Sequence, residues 1–226
     1  MAIAFRAASY AGRSTPTPTI SYVTVDKPTG VEDGDILLAL VNCYHDPGVS
    51  IDTPSGWTLL CAHEDDPSPA TGEWHYVFWK RASSEPSTYT FETESDTNIY
   101  SIETVICAYS GCVASGTPVD VYSNTPYQWG TSATTIRAAS VTTTVANTML
   151  VFLGMSTSYS ITSPSGFTQR VNESLASRYL HAADCTQADS GVSGDKDGTL
   201  SNATKWKHAF LVALAPLSTV PVDVDA

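Results

Sequence analysis

Acidic residues are the first candidates for chemistry in this sequence. Glu92, Glu94 and Glu103 lie in segments with strand-like alternation, and two carboxylates on facing strands are the minimum equipment of a glycosidase. The reading adopted here sets them on solvated strand faces and expects no catalytic residue. GxSxG, HExxH, GxxxxGK[ST] and GxGxxG are all absent from the sequence, which removes the common nucleophile, zinc and phosphate signatures. Two stretches carry metal-ligand types: His63-Glu64-Asp65-Asp66, and Asp195-Lys196-Asp197-Gly198 with the alternating acids of a calcium loop. Neither completes a ligand set, and the second lacks the distal acid of an EF-hand. Both are read as acidic surface loops, so no metal and no cofactor is expected.

Aromatic side chains are the remaining binding signal. Tyr127, Trp129 and Tyr159 lie in or beside predicted loops, where a planar ring can stack on a sugar or fill a partner's pocket. Local loop packing is the competing reading, because aromatic rings are mostly buried. The five cysteines, Cys43, Cys61, Cys107, Cys112 and Cys185, form no CxxC pair. They are expected as buried thiols. Cys107 and Cys112 are near enough in sequence to meet across a bend, but nothing marks export, so no disulfide is expected.

The elements that must position these residues read as β throughout. Charged residues are 15% of the 226-residue chain and hydrophobic residues 42%, a balance suited to short strands with Ser/Thr faces. The net charge of −12 repels phosphate backbones and anionic lipids, so no nucleic acid and no membrane partner is expected. The amino-terminal residues turn polar at Arg6 and no apolar run spans a bilayer, which predicts a soluble product made in the cytoplasm.

Strands are predicted at 3–9, 19–25, 36–43, 73–81, 88–92 and 98–110. The run Ile36 to Val41 is continuously apolar, as in a strand buried on both faces. In 73–81, Trp74, Tyr76 and Phe78 share one face and His75, Val77 and Trp79 the other. After a boundary at Cys112 to Pro118 the pattern restarts at Val119. Pro54-Ser55-Gly56-Trp57-Thr58 returns as Pro164-Ser165-Gly166-Phe167-Thr168 with an offset of 110, and Ile36 to Leu40 returns as Met149 to Leu153 with an offset of 113. Val105 to Ala108 aligns with Phe210 to Ala213 at 105, and Tyr76-Val77-Phe78 with Tyr179-Leu180-His181 at 103. The expected fold is an all-β, jelly-roll-like β-sandwich with an internal pseudo-duplication of about 110 residues. Residues 1–216 form one sandwich of about 12 to 14 strands from pseudo-repeats 1–111 and 119–216, with 217–226 a carboxy-terminal tail; two small β domains are the alternative. Each PSG turn is expected to deliver an aromatic anchor into one shared core.

The ordered motifs GD-x-LLA-x-V (Gly34 to Val41), PSGWT, FWKRAS (Phe78 to Ser83), TYTF (Thr88 to Phe91) and AYSG (Ala108 to Gly111) resemble a group of β-sandwich proteins of tailed bacteriophages and prophages. The resemblance spans much of residues 28 to 216. It implies a virion location and a structural role, as a capsid (head) decoration protein on the outer shell, with the major capsid protein or tail proteins of the same virion as partners. Shell symmetry would favour a homo-oligomer, with a trimer as the guess. The alternative is a tail-associated receptor- or carbohydrate-binding module using Tyr127, Trp129 and Tyr159.

Overall fold

A computed structural model describes residues 2–17, 19–45, 50–65, 72–93, 99–124 and 132–217. The described residues are all-β, with strands in several antiparallel sheets and no helix, consistent with a β-sandwich. The seventeen strands among them are β1 (Ala4–Ser14), β2 (Tyr22–Asp26), β3 (Ile36–His45), β4 (Thr58–Asp65), β5 (Gly72–Arg81), β6 (Thr88–Glu92), β7 (Ile99–Ser110), β8 (Val119–Asn124), β9 (Ala133–Ala138), β10 (Thr142–Thr143), β11 (Thr148–Thr157), β12 (Ile161–Thr162), β13 (Thr168–Leu175), β14 (Arg178–Gln187), β15 (Gly191–Val192), β16 (Lys196–Thr204) and β17 (Lys207–Leu214). The first strand runs further than the predicted 3–9 because its ladder with β7 continues to Ser14↔Ser101.

Two five-stranded sheets carry the fold, ordered β1-β7-β3-β5-β4 and β13-β14-β11-β17-β8. Reversed, the second reads β8-β17-β11-β14-β13, so the central strands β3 and β11 hold the same place. Side chains alternate across a strand, and β3 shows the consequence. Ile36, Leu38 and Leu40 join one core with Val151, Leu153, Phe210 and Val212 of the opposite sheet. Leu37, Ala39, Val41 and Cys43 face the other way, into a core closed by the β2-β6 pair through Val23, Val25, Tyr89 and Phe91. On β11, Leu150 and Phe152 point to a third core, closed by the sheet β12-β16-β9 through Ile136, Ile161 and Leu200. The architecture is therefore four layers with three cores. A strand in an inner layer has no solvent face, which is why Ile36 to Val41 and Met149 to Leu153 read as unbroken apolar runs.

The PSG motifs are matching turns. The Trp57 backbone N–H donates to the Pro54 carbonyl (3.0 Å) and the Phe167 N–H to that of Pro164 (3.1 Å). Gly56 and Gly166 have φ of 78° and 81°, the region a third turn residue needs and a side chain disfavours. A β-bulge follows each turn at the same distance, between Leu59 and Cys61 in β4 and between Gln169 and Val171 in β13. The shared-core expectation is corrected, however. Trp57 packs edge-on to Tyr89 (5.3 Å) and against Phe91 (5.4 Å) in the core under β2-β6, whereas Phe167 meets Phe152 (6.5 Å) in the core under β12-β16-β9. Each anchor thus packs a small sheet onto a large one.

All five cysteines are free; Cys185 is partly buried and the other four buried. Cys112 forms an isolated bridge with Pro216, and Val113 donates to the Ala215 carbonyl (3.0 Å). No helix among the described residues is long and apolar enough to cross a membrane.

Trp57 is buried against Tyr89 and Phe91, so Trp57→Ala should lower unfolding free energy by about 3 to 5 kcal/mol. The half-buried Phe167 should cost less when truncated. Paired urea denaturation curves measure both.

Candidate functional site

The interface between the two large sheets changes character along its length. On successive inward positions, β3 runs Leu40, Asn42, Tyr44; β5 runs Val77, His75, Glu73; β14 runs Ala182, Leu180, Arg178; and β17 carries Phe210 and His208, with Trp206 just before its first residue. One end is therefore apolar, the next layer mixed, and the outermost layer polar and aromatic.

The mixed layer is a cross-strand row. Glu103 of β7 pairs with Asn42 of β3, Asn42 with His75 of β5, and His75 with His63 of β4. His208 enters from the opposite sheet and stacks on His63 (4.3 Å, 14°) and His75 (5.7 Å, 15°). Glu103 is 0% exposed, against the expectation of a solvated face. Glu103 shares a face of β7 with Val105 and Cys107, the face turned toward the second large sheet, which covers it. Burial pushes the Glu103 carboxyl well above its ordinary range; Arg178 opposes the shift and Glu73 adds to it. Gly12 of β1 faces the same layer, where an added Cβ would come within 3.0 Å of Glu103 Cγ and 2.8 Å of Leu175 Cδ2.

The outermost layer is held by an ion pair between sheets. Arg178 Nε donates to Glu73 Oε1 (2.7 Å), with side chains only 12% and 5% exposed. Thr157 Oγ1 lies 3.4 Å from Glu73 Oε2, and Arg178 Nη1 donates to the Ala176 carbonyl (3.3 Å). The Arg178 guanidinium lies 4.0 Å from the centre of the Tyr44 ring, and Tyr44 packs on Tyr100 (5.2 Å). Two adjoining cavities open here. One is lined by Tyr44, Gly72, Glu73, Thr157, Arg178 and Trp206, and the other adds Tyr100, Ser101 and Ala176 to the shared Tyr44 and Arg178. Cation–π contact and a largely desolvated ion pair fix the geometry of this cleft without consuming its volume.

A second polar contact crosses the interface further along. Tyr109 Oη donates to Asp184 Oδ2 (3.1 Å), which Arg170 holds with two bonds of 2.8 Å while its guanidinium stacks on Phe5 (4.5 Å). Burial raises the Tyr109 hydroxyl well above its ordinary value. In the outer core of the second sheet, His181 is fully buried with Nε2 3.0 Å from Ser163 Oγ, and burial lowers its pKa to about 4.

The residues singled out by sequence fall apart spatially. Tyr159 is partly buried against the core built on Phe152, while Tyr127 and Trp129 lie outside the described residues, as does Glu94. Glu92 is exposed at the end of β6. Asp195 and Asp197 are both taken by Arg137, at 3.3 and 2.7 Å, so a cation is already supplied by the chain. Among the described residues no group of three His, Cys, Asp or Glu is arranged for a metal ion. The cleft residues Tyr44, Glu73, Arg178 and Trp206 escaped sequence reasoning. Their one signal was a polar or aromatic residue two positions beyond a buried one on several different strands. No protein-family model, curated protein or solved structure matches the chain.

Two titrations follow. Folding raises the Glu103 pKa above its unfolded value of about 4.5, so above that pH the folded state holds the extra proton and stability falls as pH rises. Glu103→Gln removes this loss: its stability relative to the parent chain should increase from pH 4.5 to pH 8. His181 acts with the opposite sign, because folding lowers its pKa from 6.5 to about 4. Between those values the unfolded chain binds the extra proton, so stability falls on acidification, by roughly 3 kcal/mol in full. Denaturation midpoints of His181→Gln between pH 4 and 7 should lack this component.

Proposed function

We propose that the chain is a bacteriophage virion structural protein, a capsid decoration protein on the outer shell. The observation that supports it best is what the residues of the phage resemblance do. Gly34 and Ala82, from GD-x-LLA-x-V and FWKRAS, are bonded N–H to carbonyl (2.8 Å), and Ala82 returns a bond to Asp35 (2.8 Å). Asp35 is buried and paired to Arg6 at 2.5 Å. Trp57 of PSGWT and Phe91 of TYTF share a core, and Tyr109 of AYSG reaches across to the second sheet. These motifs build a stacked-sheet framework and contribute none of the cleft residues. A rigid stack that offers strand edges and loops for docking suits a repeated subunit on a shell, where many sites add avidity. Partners would be the major capsid protein or tail proteins of the same virion, and a homo-oligomer, a trimer by shell symmetry, follows from the same reading.

The finer fold belongs with this reading: a jelly-roll-like sandwich arisen by pseudo-duplication. The two five-stranded orders correspond strand for strand, and the turn-plus-bulge unit recurs with an offset of 110. Val105 and Phe210 face equivalent residues, Leu40 and Leu153. The ladders set Val77 and Ala182 opposite that same pair, so the sequence alignment of β5 with β14 slides by two residues, a shift that keeps every side chain on its face.

The second reading, a tail-associated receptor- or carbohydrate-binding module, is favoured by the cleft around Tyr44, Arg178 and Trp206. Mass spectrometry and antibody labelling of purified particles decide between the two. The decoration reading expects the chain at shell lattice points, the second expects it at the tail, and absence from intact particles sinks both.

A further inference from the structure

Among the described residues, the cleft at the open end of the inter-sheet interface combines a lined cavity, partly exposed aromatic rings and an oriented charge pair. The histidine row lies behind it, inside the packed interface, and the Arg137–Asp195–Asp197 group is an exposed cluster whose acids already share one arginine. The exposed hydrophobic residues Tyr22, Leu59, Tyr122, Val145 and Val192 sit on separate strands and turns, with nothing to indicate an occupant.

We infer that this cleft binds a neutral oligosaccharide, with Trp206 as its stacking platform and the Glu73–Arg178 pair as its hydroxyl-recognition group. The inference deepens the carbohydrate-binding reading and gives it a site other than the one expected from Tyr127, Trp129 and Tyr159. Four features point to this ligand class. First, the cavities have volumes of about 210 and 340 Å³ and adjoin through the shared Tyr44 and Arg178, so that together they reach the size of a small-ligand site. Second, Trp206 is only partly buried at the cavity wall, and Tyr44 and Tyr100 continue the aromatic lining. Flat rings accept the C–H face of a pyranose as they accept other apolar surfaces.

Third, a vicinal diol both donates and accepts, so it matches a carboxylate set beside a guanidinium. Arg178 supplies the donor side: Nε is spent on Glu73 and Nη1 on Ala176, while Nη2 makes no hydrogen bond among the described residues. Glu73 supplies the acceptor side, since Oε2 meets only the long contact from Thr157. Charged hydrogen bonds of this kind are about twice as strong as neutral ones. Fourth, the pair is internally neutral within a chain of net charge −12. An acidic sugar would meet no uncompensated cation here and would be repelled at long range. Cation–π contact with Tyr44 and the ion pair hold Arg178 in place before any ligand arrives, which limits the entropy lost on binding.

A glycan array bearing neutral and acidic oligosaccharides, probed with the labelled full chain, tests the assignment. Retention on one or more neutral glycans is expected, weakened about tenfold or more in Trp206→Ala and largely kept in Trp206→Phe. No retention, retention of acidic glycans only, or equal binding by a folded Trp206→Ala overturns it. If Trp206→Ala fails to fold, hydroxyl-radical footprinting of the unaltered chain decides. Oxidation of Trp206 should fall when the best array oligosaccharide is added, and unchanged oxidation refutes the site. These outcomes are independent of particle labelling: a chain found on the head can still bind sugar, and a chain found at the tail can fail to.

Discussion

The rest of the structure depends on two strands, β3 and β11, that have no solvent face. Each sits third in its five-stranded sheet, so neighbouring strands satisfy its backbone groups on both edges. Its side chains alternate between two cores, and each face must be covered by a separate layer. Four coverings are needed, and two are obtained at once when the large sheets face each other. The remaining two come from the β2-β6 pair and from β12-β16-β9. With fully buried Leu, Ile, Val and Phe contributing roughly 1.5 to 3 kcal/mol each, exposing either outer face would remove a large fraction of the net stability of a domain. Trp57 and Phe167 are therefore not ornaments on turns; they are the points where the outer layers are fastened.

The same arrangement explains where polar groups can exist inside. A charge between two apolar sheets must be neutralised, paired or moved to an end. All three solutions occur. Burial pushes the Glu103 carboxyl toward its neutral form, Asp184 is clamped by Arg170 and Tyr109, and the Glu73–Arg178 pair lies where the sheets run out. The cleft is the product of this gradient. At the last inward position of each strand the side chains are too polar to close a dry core, so the sheets end in a lined opening.

Framework and cleft use different residues. The segments carrying the phage resemblance close turns, fasten layers and cross the interface, whereas Tyr44 and Glu73 lie at the opposite ends of β3 and β5 from those motifs, Arg178 opens β14 and Trp206 precedes β17. A framework of this kind can keep its stability while its open end is altered, because strand-end residues contribute little to the three cores. That separation would let the proposed particle-surface location and the proposed sugar recognition coexist in one chain.

Local sequence determined the β class, most of the strands, the two PSG turns and the two-faced burial of Ile36 to Cys43. It also assigned the faces of β5, where Trp74, Tyr76 and Phe78 do share one core side and Val77 the other. These follow from alternation, glycine φ and apolar run length, all properties of a few consecutive residues. The tertiary structure alone decided which core each anchor enters, that there are three cores, and that Glu103 is buried. Alternation assigns a residue to one of two faces but cannot say whether a second sheet covers that face. Glu73 and Arg178 stand 105 positions apart, and Tyr44 and Trp206 further still. Only the antiparallel ladders and the stacking of one sheet on the other bring them to a single opening.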